Sequence, residues 1–343
     1  MNVGKLPPHL LEQLLAKVPI EDSRVLLGPA VGEDAAVVEM GGDRVLVVKT
    51  DPITFATDEI GWYSVHINAN DIAATGAVPR WFLATLLVPE ELSQEGVEEI
   101  FQQIVDACRS LGISLIGGHT EITYGLERPI VMGAMLGEAR RGQITATSAA
   151  QPGDRILLTK GIAIEGTCVL AREASALLLS RGMQQESIDR AKDYLYRPGI
   201  SVLTEAQKTQ ATAAVHCMHD PTEGGLITGL REIASAAKVG IRLEVERIPI
   251  LAECREICDR LGLDPLGLLA SGALVLTLPP SEAPKALAAL EGAGVAAYDI
   301  GEVTPASQGL RVLTGEGEEA MPDFERDELA RFFSSSRSKG RSR

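Results

Sequence analysis

The sequence has no apolar run of the ~18 residues needed to cross a membrane, and its N-terminus has no apolar core of the kind found in signal peptides. Its five cysteines are odd in number and include no Cys-x-x-Cys pair, which favours a reduced protein over a disulfide framework. The net charge of −15 opposes a general nucleic-acid-binding role. We therefore expect a cytoplasmic protein that binds neither membranes nor nucleic acids.

The common nucleotide-binding and hydrolase motifs are also missing. The sequence contains no Gly-x4-Gly-Lys-Ser/Thr loop, no Gly-x-Gly-x-x-Gly between a predicted strand and helix, and no Gly-x-Ser-x-Gly elbow. An acidic chain can still bind a nucleotide when divalent cations bridge its carboxylates to the phosphates. A nucleotide site in this protein would therefore be built from acidic side chains and metal ions.

The length of 343 residues predicts two domains, each able to bury its own core. A small, polar run at residues 145–152 places the boundary near residue 150, so the domains are predicted at 1–150 and 151–310. Residues 311–333 form an extension that includes a last helix at 323–333. Residues 334–343 are rich in Ser, Arg, Lys and Gly and are expected to be disordered.

Residues 58–79 carry two stripes at helical spacing, and Gly76 and Pro79 supply a stop signal. One stripe is apolar. The other has only short polar side chains and a single charge, and consists of Ser64, Asn68, Asp71 and Thr75. Such a stripe suits a helix face that approaches a cation or a phosphate closely. The alternative is a partly buried helix whose Asn and Asp side chains are satisfied locally.

A hairpin is predicted from Ala35 to Thr50, with Gly42-Asp43 as its two-residue loop. That loop would place Asp34 directly opposite Asp51. Two like charges across a ladder are destabilising, and a bound cation would reverse the sign of that effect. The alternative is a pair of solvated loop carboxylates.

Two segments read as a strand followed by a glycine pair. In the first, a strand at 113–116 leads into a Gly117-Gly118 loop that exposes backbone N–H groups to a phosphate, followed by His119, Thr120 and Glu121. In the second, residues 215–237 read as a strand, Asp220, Gly224-Gly225 and a helix, which predicts similar local architecture. For His119 and His219 a hydrogen-bonded loop histidine is an equal alternative, and Cys254 and Cys258 are expected to be ordinary core or surface cysteines.

The acidic residues are most informative together. Each lies at a predicted strand end or on the small-residue helix face, and the set is Asp34, Asp51, Asp71 and Asp220. Carboxylates spread in this way among glycine-rich turns are typical of Mg²⁺ ions that hold a polyphosphate, and oxygen ligands favour Mg²⁺ over zinc.

Five motifs occur in a fixed order along the chain: Gly32-Glu33-Asp34-Ala35-Ala36, Thr50-Asp51, residues 70–79, residues 117–120 and residues 219–226. In these motifs the chain resembles one superfamily from about residue 28 to 305. That superfamily includes aminoimidazole ribonucleotide synthetase, thiamine monophosphate kinase, selenophosphate synthetase and the hydrogenase maturation protein that makes the cyanide ligand. The second half, with residues 218–222 and 261–266, is most similar to the hydrogenase maturation branch.

The resemblance implies an α+β fold of two domains, with the N-terminal domains forming an intersubunit β-barrel in a homodimer and the C-terminal domain forming an α/β sandwich. It implies ATP and Mg²⁺ as cofactors. The implied metal ligands are Asp34, Asp51, Asp71 and Asp220. The implied nucleotide-binding residues are Lys49, Thr50, Asn68, Asn70, Gly117, Gly118 and Thr120, and Asp71, His119 and Glu121 are the implied catalytic residues.

Two departures keep the function open. The hydrogenase maturation protein ends in a cysteine that carries the carbamoyl group, whereas this sequence has no cysteine after Cys258, so we expect it not to use that route. His119 stands where the thiamine kinase branch has an acid, and Glu121 could substitute. The main hypothesis is an ATP-dependent enzyme acting on a small amide, carbonyl or phosphate substrate in hydrogenase or metallocofactor maturation. The alternatives are a non-catalytic maturation partner or scaffold, and a thiamine monophosphate kinase.

Overall fold

The structure is a computed structural model that describes residues 6 and 8–340. Its contacts divide into two compact units. The N-terminal unit contains residues 20–28 and 34–144, and the C-terminal unit contains residues 8–19, 29–33 and 145–340. Two short stretches of the predicted first domain therefore pack with the C-terminal unit. Within the described residues, no helix is long and apolar enough to cross a membrane.

The N-terminal unit is built on one six-stranded sheet with the strand order β1-β2-β3-β6-β4-β5. Strands β4 and β5 are parallel, and the other neighbours are antiparallel. The strands are β1 (Val25–Leu27), β2 (Ala36–Gly41), β3 (Arg44–Ile53), β4 (Val78–Val88), β5 (Ser114–Ile122) and β6 (Ile130–Arg140).

Two helices, α2 (Ile60–Ala74) and α3 (Gln94–Leu111), belong to this unit. The predicted stop of α2 is confirmed, since Gly76 adopts a φ of 81° just after the helix. Helix α2 is buried on almost all sides, so its two predicted stripes do not separate an inner from an outer face. It approaches the sheet closely at Gly133, where an added Cβ would lie 2.4 Å from the Asn68 amide nitrogen.

The predicted hairpin is confirmed, but its predicted register is wrong by one residue. Residues 36–39 of β2 pair with residues 45–48 of β3 in a register that shifts before the turn. The shift is a bulge at Met40, which adds one residue to β2. Asp34 precedes the first paired residue, Ala36, so it does not stand opposite Asp51 in the ladder.

The predicted Gly117-Gly118 loop is wrong, because β5 runs without interruption from Ser114 to Ile122. An added Cβ on Gly118 would lie 1.9 Å from the Ala84 carbonyl oxygen of β4. This glycine therefore permits close pairing of β4 with β5. Because the second glycine-pair segment does form a strand, a turn and a helix, the predicted similarity of the two segments is also wrong.

The C-terminal unit contains a seven-stranded sheet with the order β13-β12-β9-β11-β7-β10-β8. Strands β7 and β10 near its centre are almost entirely buried. The strands are β7 (Arg155–Thr159), β8 (Cys217–His219), β9 (Gly240–Glu244), β10 (Val275–Leu278), β11 (Ala297–Thr304), β12 (Leu310–Thr314) and β13 (Gly317–Ala320).

Nine helices belong to this unit among the described residues. They are α1 (Pro8–Leu15), α4 (Ile164–Glu173), α5 (Ser175–Ser180), α6 (Gln185–Asp193), α7 (Leu203–Thr212), α8 (Gly225–Ala237), α9 (Ala252–Leu261), α10 (Ala283–Gly292) and α11 (Glu328–Gly340). Helix α11 extends through residues 334–340, which were expected to be disordered, and residues 341–343 lie outside the described part of the chain. Cys254 and Cys258 on α9 are buried in the core, as expected.

Candidate functional site

The four polar residues predicted to form a stripe on α2 differ in their hydrogen-bond partners. The Ser64 hydroxyl donates to the Gly61 carbonyl at 2.9 Å and the Thr75 hydroxyl donates to the Ile72 carbonyl at 2.8 Å, so both are satisfied within the helix. Asn68 and Asp71 instead meet groups from strand β3. Ser64 and Thr75 are therefore satisfied locally, which was the alternative interpretation. Asn68 and Asp71 stay candidates for a face that approaches a cation or a phosphate.

An acidic cluster forms where α2 passes β3. Asp34 and Asp71 place carboxylate oxygens within 4.8 Å of each other. The Lys49 ammonium nitrogen lies 3.2 Å from an Asp71 oxygen and 4.0 Å from an Asp51 oxygen. The structure thus brings three of the predicted metal ligands to one place, although the strand pairing that was expected to do so does not occur.

Burial makes the Asp71 carboxyl the most perturbed group of this cluster. Asp71 is only 2% exposed. Burial raises the pKa of Asp71 to about 7, the Lys49 charge opposes that rise, and the Asp51 and Asp34 carboxylates add to it. Like charges held this close are unfavourable, and the single charge of Lys49 balances only one of the three carboxylates. A divalent ion would be the largest charge in the cluster and would stabilise the ionised form of Asp71.

The neighbouring polar groups fit an oxygen-binding ion and a phosphate. The Asn68 amide nitrogen donates to the Asp51 carbonyl at 3.2 Å and to the Ser64 carbonyl at 2.8 Å. Its amide oxygen is buried and accepts no hydrogen bond among the described residues. A buried acceptor without a donor is costly, and it is available to a ligand. The Thr50 hydroxyl donates to the Gly133 carbonyl at 2.8 Å, and Asn70 is fully buried on α2.

The second group of predicted residues lies on β5, at the edge of the sheet. Gly117, Gly118 and Thr120 are exposed, as are His119 and Glu121, whose side chains approach to 3.3 Å. The strand register places Gly118 in one row with Ala84, Gly133 and Asp51. Three strand spacings separate the ends of that row, or about 14 Å. The two groups therefore share one level of the sheet without touching.

Asp220 lies in the C-terminal unit, immediately after β8, and is 1% exposed. The preceding His219 is buried and places its Nε2 atom 3.2 Å from the Glu232 carboxylate on α8. The turn that follows Asp220 ends at Gly224, which adopts a φ of 83°. The strand, acid, glycine pair and helix predicted here are confirmed.

Sequence reasoning missed three carboxylates that support these segments. Glu33 accepts hydrogen bonds from the Thr147 and Ser148 amides at 3.2 Å each, Glu232 contacts His219, and Asp327 accepts from Gly224. Glu33 stood inside a recognised motif, but its neighbour Asp34 offered the stronger signal. Glu232 and Asp327 are distant in sequence from their partners, and no local pattern identifies them.

Two family models match the chain. The N-terminal domain of AIR synthase related proteins matches residues 32–139, and the C-terminal domain of the same proteins matches residues 151–312. The chain belongs to the AIR synthase related family. The resemblance drawn from the sequence motifs is thereby confirmed, and the chain has the two-domain AIR synthase-like fold. The family includes enzymes, and this chain is an enzyme whose substrate is open.

Relatives in sequence carry the names hydrogenase expression/formation protein and carbamoyl dehydratase. A putative hydrogenase expression/formation protein of Methanocaldococcus jannaschii is 28% identical over 320 residues, which cover 91% of this chain and 91% of that protein. The carbamoyl dehydratase HypE of Rhizobium leguminosarum is 31% identical and covers 79% of this chain and 77% of its own.

Solved structures show the same fold. A chain of a HypE–HypF complex has a TM-score of 0.74 at 22% identity, and the match covers 92% of this chain and 99% of that one. HypE in complex with ATP has a TM-score of 0.66 at 22% identity, covering 96% and 98%. ThiL in complex with AMPPCP and TMP has a TM-score of 0.70 at 20% identity, covering 93% and 94%.

Proposed function

We propose that this chain is an ATP-dependent, Mg²⁺-requiring enzyme that activates a small amide, carbonyl or phosphate substrate in the maturation of a hydrogenase or another metallocofactor. The observation that carries the proposal is the close approach of the half-buried Asp34 carboxylate to the buried Asp71 carboxylate, beside Lys49. A protein that kept these groups only for stability would gain from replacing them, since buried charges are costly unless they bind a partner. Carboxylate oxygens are the ligands that Mg²⁺ prefers.

The proposal assigns roles to the predicted residues. Asp34, Asp51 and Asp71 hold the metal, with Asp220 as a further predicted ligand. Lys49, Thr50, Asn68, Asn70, Gly117, Gly118 and Thr120 bind the nucleotide, and Asp71, His119 and Glu121 act on the reacting groups. Bound Mg²⁺ would neutralise charge on the phosphates. The contribution of the chain itself is to hold the carboxylates in a water-poor place, with Lys49 balancing part of their charge.

The names of the relatives and the ligands in their structures support the proposed use of ATP by an enzyme. Sequence relatives that cover most of the chain are named carbamoyl dehydratases. Structures of the same fold were determined with ATP and with AMPPCP. The five free cysteines are all buried, which supports a reducing compartment such as the cytoplasm.

The test is a thermal-shift series with ATP, ADP and buffer, each with and without Mg²⁺. At about 100 times the Kd, bound Mg-ATP adds about 2.7 kcal/mol to the free energy of unfolding. We expect Asp34→Asn and Asp71→Asn to lose that Mg²⁺-dependent gain. Asp106→Asn is the matched control, because Asp106 lies on α3 of the same unit and its side chain is 45% exposed. Equal gains in all four proteins would refute the metal site.

Turnover separates the two alternatives from the main proposal. Mg-ATP binding without ATP turnover, in the presence of candidate substrates and partners, would indicate the scaffold. Transfer of the γ-phosphoryl group to thiamine monophosphate would indicate the kinase. The acid found in the thiamine kinase branch is replaced here by His119, and this favours the first proposal over the kinase.

We further propose a homodimer that pairs the β5 edges of two copies. Edge strands present unpaired backbone groups that invite another strand. Large apolar side chains lie on and beside this edge: Ile116 is 55% exposed, Ile122 is 71% exposed and Tyr124 is 92% exposed. Sedimentation should show a dimer that Ile116→Lys and Ile122→Lys convert to a monomer, whereas Phe101→Lys on α3, an equally exposed apolar site, should leave it intact.

A maturation partner is the remaining part of the proposal. One structure of this fold is a complex between HypE and HypF, which supports a protein partner for this chain as well. If a partner delivers the substrate, ATP turnover by the chain alone is expected to be slow. Stimulation of turnover by a hydrogenase maturation protein, and its loss in His119→Ala, is the result expected.

A further inference from the structure

The C-terminal strap, residues 321–331, lies beyond the end of the family match at residue 312 and is held to the C-terminal unit at three places. Arg231 of α8 donates to the Met321 and Pro322 carbonyls at 3.1 and 3.0 Å. The Asp264 amide donates to Glu328 at 3.0 Å, and Arg331 donates to the Gly262 carbonyl at 2.7 Å. The strap therefore packs as part of the C-terminal unit.

Asp327 in this strap uses both oxygens of one carboxylate. One oxygen accepts the Leu329 amide at 2.7 Å, which caps the N-terminus of α11. The other accepts the Gly224 amide at 2.6 Å. A helix cap needs only the first bond, so the second requires another explanation.

Gly224 lies at the end of the turn that follows Asp220, and its amide donates out of that turn to Asp327. Within that turn the Thr222 carbonyl accepts the Gly225 and Ala270 amides at 3.1 and 3.2 Å. Asp327 is 5% exposed, and its burial raises the pKa of its carboxyl to about 6 against the effect of its hydrogen bonds. A buried carboxylate kept at a cost to stability is more often found at functional sites than elsewhere.

We infer that Asp327 is a positioning residue that fixes, through Gly224, the turn presenting Asp220. The structural half of this inference stands alone, and its functional half rests on the proposed role of Asp220 as a metal ligand. Asp327 touches neither substrate nor metal in this assignment. It acts by limiting how far the segment after β8 can move.

The experiment uses the full chain with Asp327→Asn, Asp327→Ala and Asp323→Asn. An asparagine caps a helix as well as an aspartate, but it replaces one of the two carboxylate oxygens by an NH2 group, which donates and does not accept. The Gly224 and Leu329 amides each bond a different oxygen of Asp327, so asparagine in this geometry keeps only one of the two bonds. Asp327→Asn should therefore fold with α11 intact. Asp323 belongs to the same strap, and its side chain is 66% exposed and lies 3.6 Å from Arg231. Asp323→Asn therefore removes a charge from the strap and leaves both bonds of Asp327 in place, which makes it the control for charge.

Hydrogen exchange of the nucleotide-free protein tests the structural half. We expect exchange at Gly224 to be about tenfold faster in Asp327→Asn, which corresponds to about 1.4 kcal/mol. Exchange at both Gly224 and Leu329 should be faster in Asp327→Ala, and Asp323→Asn should match the wild type. Faster exchange at Leu329 alone in both Asp327 variants would overturn the inference and leave only a helix cap.

The Mg²⁺ concentration that half-saturates the ATP-dependent thermal shift tests the functional half. It should rise about tenfold in Asp327→Asn and stay constant in Asp323→Asn. A loosened Gly224 amide with unchanged Mg²⁺ dependence would overturn the positioning role. If the wild type shows no Mg-ATP shift, the proposed function fails and the positioning role for Asp220 fails with it, while the exchange data still decide whether the strap holds the turn.

Discussion

The two groups of predicted site residues in the N-terminal unit differ most in their access to water. Asp71, Asn68 and Asn70 on α2 are buried, whereas His119 and Glu121 on β5 have side chains that are 66% and 57% exposed. The first group is assembled within one unit and already has a strongly perturbed carboxyl. The second group is open to water, and under the proposed function a nucleotide or a second chain covers it. We conclude that stability measurements will detect the first group, and that only binding or turnover will detect the second.

The largest effect is expected from the pH dependence that Asp71 creates. Its folded pKa of about 7 lies above the ordinary aspartate value of 3.8, so between these values the folded state keeps a proton that the unfolded chain has lost. The Asp71 contribution to the free energy of unfolding is therefore highest below about pH 4 and is lost as the pH rises through 7, by up to about 4 kcal/mol.

Asp71→Asn removes this component. In metal-free buffer, urea unfolding from pH 4.5 to pH 8 should show the variant gaining on the wild type as the pH increases. Parallel pH profiles of the two proteins would mean that Asp71 is not held in a water-poor cluster.

The next effect concerns the edge strand. Gly118→Ala places a Cβ 1.9 Å from the Ala84 oxygen, and such overpacking should destabilise β5 by about 1–3 kcal/mol. Gly117→Ala is the matched control, since Gly117 has a φ of 158° against 151° for Gly118 and its added Cβ would meet nothing closer than 3.9 Å.

Hydrogen exchange in residues 114–122 measures this effect without requiring global unfolding. Faster exchange in Gly118→Ala alone is expected. The close pairing of β4 with β5 would be disproved by equal protection in both variants.

A smaller effect is expected at Asn68. Asn68→Ala removes the hydrogen bonds to the Asp51 and Ser64 carbonyls and should lower the free energy of unfolding by about 1–2 kcal/mol. Ser64→Ala, which removes one bond within the helix, should cost less. Denaturant titration of both variants checks the order, and a larger loss in Ser64→Ala would show that Asn68 does not link α2 to β3.

The smallest change in stability is expected for His119 and Glu121 on the edge strand β5. His119→Ala and Glu121→Gln should each alter the free energy of unfolding by less than about 0.5 kcal/mol, because exposed pairs contribute little. Their proposed roles predict a clear loss of ATP turnover in the same variants. Turnover equal to that of the wild type would reduce the pair to an ordinary surface contact.

Much of the fold could be predicted from periodic patterns, because a helix such as α3 carries its own start signal, the Ser93 cap, and its own stop signal, Gly112. The errors arose where a distant partner decides the local structure. The bulge at Met40 changed a register that turn chemistry alone suggested. Gly118 was predicted to lie in a loop, whereas a glycine is required there because Ala84 of the neighbouring strand lies too close for a Cβ.

The candidate site shows the same limit. Asp34, Asp51 and Asp71 were found by residue type and position, yet the pairing expected to unite Asp34 with Asp51 does not exist. They meet because α2 crosses the end of β3, and no sequence period reports such a crossing. The supporting contact between Asp327 and Gly224 joins residues 103 positions apart, which is beyond the reach of any local pattern.

The parallel pairing of β4 with β5 has a consequence for the order of folding. Parallel neighbours cannot be joined by a tight turn, and here α3 makes the connection. Strand β5 can pair with β4 only after the connection through α3 has formed. Strands β2 and β3, in contrast, can pair directly from the short turn that joins them. Contacts between residues far apart in sequence form slowly. We therefore expect the edge that carries His119 and Glu121 to be among the last parts of this sheet to form, and its apolar side chains to be exposed to aggregation until then.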